Sequence, residues 1–117
     1  MLDRAVAEVR ANPSAAIAKF NNAAGDFRDR DLYVFCFNGL DGKTVSHVAP
    51  SIIGRDARSF KDKNGKPFGE MFFHEAKEGT LTVVSYVWPR PGSDEAVPKE
   101  SYVTRIGDLV CGVGYYK

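Results

Sequence analysis

The apolar positions of this chain change their spacing more than once along its length. Leu2, Ala5, Val6 and Val9 recur at three- and four-residue intervals, with Asp3, Arg4, Glu8 and Arg10 on the other side; this predicts an amphipathic helix. Asn12-Pro13 then supplies an N-cap and a first-turn proline for a second helical piece, on which Ile17 and Phe20 share a face. Asn21-Asn22 and Gly25 close it. From Asp31 the period becomes two. Residues 32–37 are rich in aromatic and β-branched side chains and read as a half-buried strand. The turn signals Asn38-Gly39 and Asp41-Gly42 send the chain back as a second strand over 44–48. Residues 51–66 are loop-like. Phe68, Met71, Phe72 and Ala76 return to helical spacing and predict a short helix ending at Gly79. Residues 80–88 form the longest β-run, 89–98 a turn-rich loop, and 101–106 and 109–115 the last two strands.

Consecutive strands joined by short turns, with helices before and between them, predict an α+β domain: an antiparallel sheet with helices packed on it. Five strands behind an N-terminal helix suit a PAS-like sensor fold. At 117 residues the chain is expected to form one domain, residues 1–117, with a sizeable core.

Composition changes this picture little. Apolar residues at 44% and charged residues at 26% are ordinary globular values, which excludes a disordered chain. A formal net charge of +1 gives no reason to expect a nucleic-acid partner. No apolar run approaches the ~20 residues that span a bilayer, and no signal-peptide pattern is present, so the chain as given is expected to be soluble. Cys36 and Cys111 lie in separate apolar strand-like runs. A disulfide requires those strands to be neighbours; buried free thiols are the expectation.

Few residues suggest chemistry. His74 is expected to be exposed on the short helix, and neither it nor His47 has the companions of a zinc site. Gly112-Val-Gly114 lacks the third glycine and following helix of a dinucleotide loop, so close packing is the reading. Asp62 and Asn64 are expected to bond to local backbone rather than to calcium. No catalytic constellation, metal site or cofactor is expected, and Cys-x-x-Cys-His, the attachment motif of covalent haem, is absent. One set differs. Tyr86 and Trp88 are two apart and share a strand face, while Lys99 and Tyr102 follow on the next strand-like run. Apolar walls, a few donors and one positive charge suit a small organic anion. The pattern fits a packed core equally well.

The order of several motifs extends the comparison. Asp31-Leu32-Tyr33-Val34-Phe35, Asp41-Gly42, His47 with Pro50, Ile53-Gly54-Arg55-Asp56 and Asp62-Lys63-Asn64-Gly65-Lys66 resemble the single Cache domain. So do Phe68, Glu70 and Phe72, then Tyr86-Val87-Trp88-Pro89, Lys99-Glu100-Ser101-Tyr102-Val103 and Gly112-Val113-Gly114-Tyr115-Tyr116. The resemblance runs from about Phe20 to Lys117. It implies a PAS-like fold, with an N-terminal helix on a five-stranded antiparallel sheet and a short crossing helix. It also implies a periplasmic or extracellular sensor of a small carboxylate such as acetate, propionate, pyruvate or lactate, serving signal transduction or chemotaxis rather than catalysis. Carried onto this chain, the ligand-binding residues are Tyr86, Trp88, Lys99 and Tyr102, with His47 and Phe35 as neighbours and Arg55 or Arg58 as a second cation. The chain departs from the pattern in lacking flanking membrane helices and in its short, interrupted N-terminal helix. The ending at Tyr115-Tyr116-Lys117 suggests a free-standing protein, with a second copy or a membrane receptor as its protein partner. The rival reading is an interaction module with a vestigial pocket, dimerising through Leu2, Val6 and Val9.

Overall fold

In the computed structural model, which describes residues 1–21, 28–29 and 31–116, the expected elements form in the expected order. Helices α1 (Leu2–Ala11) and α2 (Pro13–Asn21) meet at Asn12, whose side-chain oxygen accepts from the Ala15 N–H at 3.2 Å. The expected closure of α2 at Asn22 and Gly25 lies outside the described residues. The strands are β1 (Arg28–Asp29), β2 (Leu32–Asn38), β3 (Thr44–Ser46), β4 (Thr82–Pro89), β5 (Ala96–Ile106) and β6 (Leu109–Tyr116), with α3 (Phe68–Glu75) between β3 and β4. Five of them run antiparallel in the order β3-β2-β6-β5-β4, and the two-residue β1 lies alongside the start of β2.

Alternation along the strands sorts side chains onto two faces, and each face is covered. Tyr33, Phe35, Phe37, Val84, Tyr86, Val103 and Val110 pack under α3 and the loop before it. Val34, Cys36, Cys111, Val113 and Ile106 pack under α1 and α2, where Leu2, Ala5, Val9, Ala16 and Phe20 are buried. The helix face of Leu2, Val6 and Val9, which the rival reading offers as a dimer seam, is turned onto the chain's own sheet.

Three boundaries move for physical reasons. Strand β5 begins five residues early and runs through Pro98. Among the described residues Pro98 pairs with Val87 of β4 alone, β6 pairing from Lys99 onward, so its missing N–H costs no ladder bond there. Strand β3 stops at Ser46, after a bulge opposite Cys36 and Phe37, and the His47 N–H turns to the Asn21 side chain at 3.3 Å. Helix α3 ends at Glu75, short of Gly79, which takes the left-handed turn at φ 72°. The loop over 51–66 is ordered by two short 3-10 turns and by Asp62. That carboxylate accepts from the Asn64, Lys66 and Val87 backbone N–H groups at 2.9, 2.9 and 3.1 Å. Burial alone would raise its pKa, but these donors hold it below the ordinary value.

The cysteines are not free. β2 and β6 are neighbours with Cys36 directly opposite Cys111, Cα atoms 4.1 Å apart, and the two form a disulfide. The expectation of free thiols fails because two isolated apolar runs do not reveal their pairing register.

Candidate functional site

Sheet register assembles the site. Tyr86 on β4, Lys99 on β5 and Tyr116 on β6 are directly opposite one another, so their side chains rise from the same face. The next row toward the sheet interior is Val84, Ser101 and Gly114. Because Gly114 has no side chain, the Lys99 stem lies over it. A Cβ there would stand 2.4 Å from Lys99 Cε and 2.3 Å from Ser101 Oγ. Lys99 thereby crosses β6, and its Nζ donates to the Tyr33 hydroxyl of β2 at 2.9 Å.

Lys99 is 2% exposed, and its ammonium is surrounded by rings. Nζ lies 4.5 Å from the Tyr33 centroid, 4.9 Å from Tyr116, 5.7 Å from Phe35 and 5.8 Å from Tyr86. Aromatic faces attract a cation but replace only part of its lost hydration. Among the described residues no carboxylate is within ion-pair distance of Lys99; the pairs Arg10–Glu78, Lys19–Glu8, Arg58–Asp56 and Arg90–Asp31 all lie elsewhere. Desolvation pushes the Lys99 pKa down to about 7.

The other polar groups are donors or can become donors. Burial, aided by Tyr116 and Tyr86, raises the Tyr33 phenol well above its ordinary value. Burial also raises Tyr86, against the opposing hydrogen bond between its hydroxyl and Ser101 Oγ at 2.8 Å. Both phenols keep their protons at neutral pH. His47 is pushed down to about 4, first by burial and then by the Lys99 charge, so it is neutral. Its Nδ1 accepts from the Ala49 N–H at 2.9 Å, which leaves the proton on Nε2.

These groups line a cavity of about 20 Å³ between the sheet and α3. Phe68 stacks on Tyr86 at 4.2 Å, while Trp88, half-buried, meets Phe68 edge-on at 5.3 Å and approaches Phe60 at 6.4 Å. Phe35, Phe37 and Phe72 form a second stacked group behind them. The volume admits a particle the size of one water molecule. A larger groove of about 680 Å³ lies on the opposite side, between the two N-terminal helices and the β5–β6 turn. Its walls include Val9, Ile17, Val45, Ile106 and Leu109, and it contains no buried ionisable group.

The structure therefore gathers Tyr86, Trp88, Lys99, His47 and Phe35 around one cavity. It does not bring Tyr102 there. Tyr102 is three positions after Lys99 on a continuous strand, an odd offset, so it points to the other face, 39% exposed and 6.1 Å from the Tyr115 ring. Arg55 lies over the Phe60 ring at 5.3 Å, and Arg58 pairs with Asp56 at 3.0 Å; neither lines the cavity. His74 is exposed on α3 as expected. Tyr33, Ser101 and Tyr116 were not singled out by their local sequence. Tyr33 and Ser101 stand at positions whose strand parity matches that of Phe35 and Lys99, and this is the signal that finds them.

A PAS-like α+β fold, with a charged aromatic cavity between the sheet and a crossing helix, defines the class as a sensor domain. The profile of the single Cache domain 2 matches residues 2–116, and the chain belongs to that family. Methyl-accepting chemotaxis protein McpP of Pseudomonas putida is 33% identical over 76 residues, which is 64% of this chain and 14% of that protein. The chain thus spans about one seventh of the curated relative it matches. A solved structure described as the periplasmic sensor domain of a chemotaxis protein superposes with a TM-score of 0.76 at 27% identity, covering 97% of this chain and 83% of that one. Another, described as the structural basis for carboxylic acid recognition by a Cache chemosensory domain, gives 0.71 at 25% identity, covering 92% and 72%.

Proposed function

We propose that this chain binds a small organic acid of the acetate, propionate, pyruvate or lactate class at Lys99, as the sensing part of an extracytoplasmic signalling protein that serves chemotaxis. The observation that carries the reading is a lysine, Lys99, 2% exposed and with no carboxylate in reach of its ammonium among the described residues. A buried charge without a counter-ion is costly in the folded protein alone, and a bound carboxylate supplies what is missing. Charge-assisted bonds from Lys99, with the Tyr33 hydroxyl and the His47 Nε2–H as further donors, suit the two oxygens of one carboxylate. The aromatic walls suit a short alkyl tail.

The cavity of about 20 Å³ is too small for such an acid as it stands. Entry therefore requires the wall to yield, and Trp88 and His47 are its half-buried residues, the rest of the lining being buried. The buried Cys36–Cys111 disulfide fits an oxidising compartment, which supports placing the domain in the periplasm or outside the cell.

Thermal-shift screening with two- to four-carbon acids tests the reading. An acid at 100 times its Kd should stabilise the protein by ~2.7 kcal/mol. No shift with any acid of the class would count against it.

A further inference from the structure

Resting on that reading of the cavity, we propose that Lys99 also captures the carbonyl of 2-oxo acids and short aldehydes as a reversible imine, so that the site treats keto acids differently from simple carboxylates. The geometry comes first. The Lys99 nitrogen lies in an apolar cage, within 4.5–5.8 Å of four ring centroids, and its one hydrogen-bond partner among the described residues is a phenol rather than a carboxylate. A protein carboxylate beside it would hold the proton on the amine; a phenol does not, and a 2-oxo acid whose carboxylate takes the His47 Nε2–H leaves the amine to face its carbonyl. Only the free base attacks a carbonyl, and an ordinary lysine is almost wholly protonated at neutral pH. Burial pushes Lys99 to about 7, so near that pH roughly half of it is nucleophilic.

The step balances with groups already present. The Lys99 nitrogen bonds to the carbonyl carbon, and the C=O π pair moves to oxygen. One amine proton reaches that oxygen through the Tyr33 hydroxyl, 2.9 Å from the nitrogen, giving a carbinolamine. The C–O bond then breaks, and the hydroxyl leaves with the remaining nitrogen hydrogen as water. The product is a neutral C=N bond, with no oxidation or reduction. The acid's own carboxylate lies beside the new nitrogen and favours its protonated form. Reversal needs only water.

The experiment incubates the folded protein at neutral pH with pyruvate and cyanoborohydride, which reduces an imine to a stable secondary amine. Intact-mass and peptide-mapping spectra locate the adduct, and parallel melting curves are taken with propionate and with pyruvate. One pyruvate-derived adduct mapped to Lys99, suppressed by excess propionate and slowed at least tenfold in Tyr33→Phe, is the expected result. Labelling confined to exposed lysines such as Lys43, Lys61, Lys63 and Lys77 would overturn the imine. So would stabilisation by both acids with no Lys99 adduct, an outcome that leaves carboxylate binding standing. Absence of both stabilisation and adduct would overturn the imine and the cavity reading together. Because the adduct is mapped in the wild-type protein, the result does not depend on a variant folding.

Discussion

A buried ammonium with no counter-ion is costly to a folded protein, and under the proposed function a bound anion offsets that cost at Lys99. Replacing it by methionine removes a buried charge while filling much of the same volume, so Lys99→Met should stabilise the protein by roughly 1–3 kcal/mol and abolish acid binding. Urea unfolding of both proteins, with and without propionate, checks the two effects together; a destabilised variant that still bound propionate would contradict the account. The pH dependence follows from the same residue. Its folded pKa of about 7 lies below the unfolded value near 10.4, so the unfolded chain holds the proton more tightly between those limits. Lys99 therefore lowers stability as pH falls through that window and has no further effect below about 7. His47, held near 4 by burial and by Lys99, takes stability away as pH falls from about 6.5 through 4. A bound carboxylate favours the charged lysine, so binding at pH 8 should take up close to one proton and affinity should fall as pH rises above 7. Calorimetric titrations in buffers of different ionisation enthalpy measure that uptake; pH-independent binding between 6 and 9 would contradict it.

At the scale of the elements, the strands decide what reaches the cavity. Gly112 and Gly114 were read as close-packing positions, and both are: a Cβ on Gly112 would stand 2.6 Å from Phe35 Cζ, and one on Gly114 would displace the Lys99 stem. Gly112→Ala and Gly114→Ala should each destabilise by about 1–3 kcal/mol through overpacking. Only Gly114→Ala should also cost tenfold or more in acid affinity, because it alone moves Lys99. Equal affinities in the two variants would show that the stem's path over β6 does not matter. The period of two made β2, β4 and β6 legible from the chain, and the helical spacing made α1 and α3 legible. Tyr86 and Trp88 were visible as a same-face pair for the same reason. Tyr102 was misplaced because it was grouped with Lys99 by residue type and by the resemblance, without regard to strand parity. The parity of β5 puts it opposite Lys99, and Pro98 had obscured how far that strand extends. Tyr33 shares the parity of Phe35, but its contact with Lys99, like the place of Tyr116, depends on which strands are neighbours, and strand order is not written in local periodicity.

Across the whole molecule, one sheet carries the chemistry on one face and its structural support on the other. The cavity side holds Lys99 against rings from β2, β4 and β6, while the helix side holds the disulfide under α1 and α2. That bridge closes a sequence separation of 75 residues, so Cys36→Ala with Cys111→Ala should lower stability by about 2–4 kcal/mol. The lining of the Lys99 cavity lies on the opposite face, so acid binding should survive in the folded fraction; a double variant of unchanged urea midpoint would show that the bridge is dispensable. The pairing register made this bond, and two isolated cysteines could not announce it. The central claim is that the buried ammonium is the anchor for a small carboxylate. Isothermal titration of acetate, propionate, pyruvate and lactate into the wild-type protein and into Lys99→Met at pH 6.5 tests it most directly. Saturable one-to-one binding of at least one acid to the wild type, lost in Lys99→Met, is the predicted result. Equal binding to both proteins, or heats of dilution alone for all four acids, would contradict it.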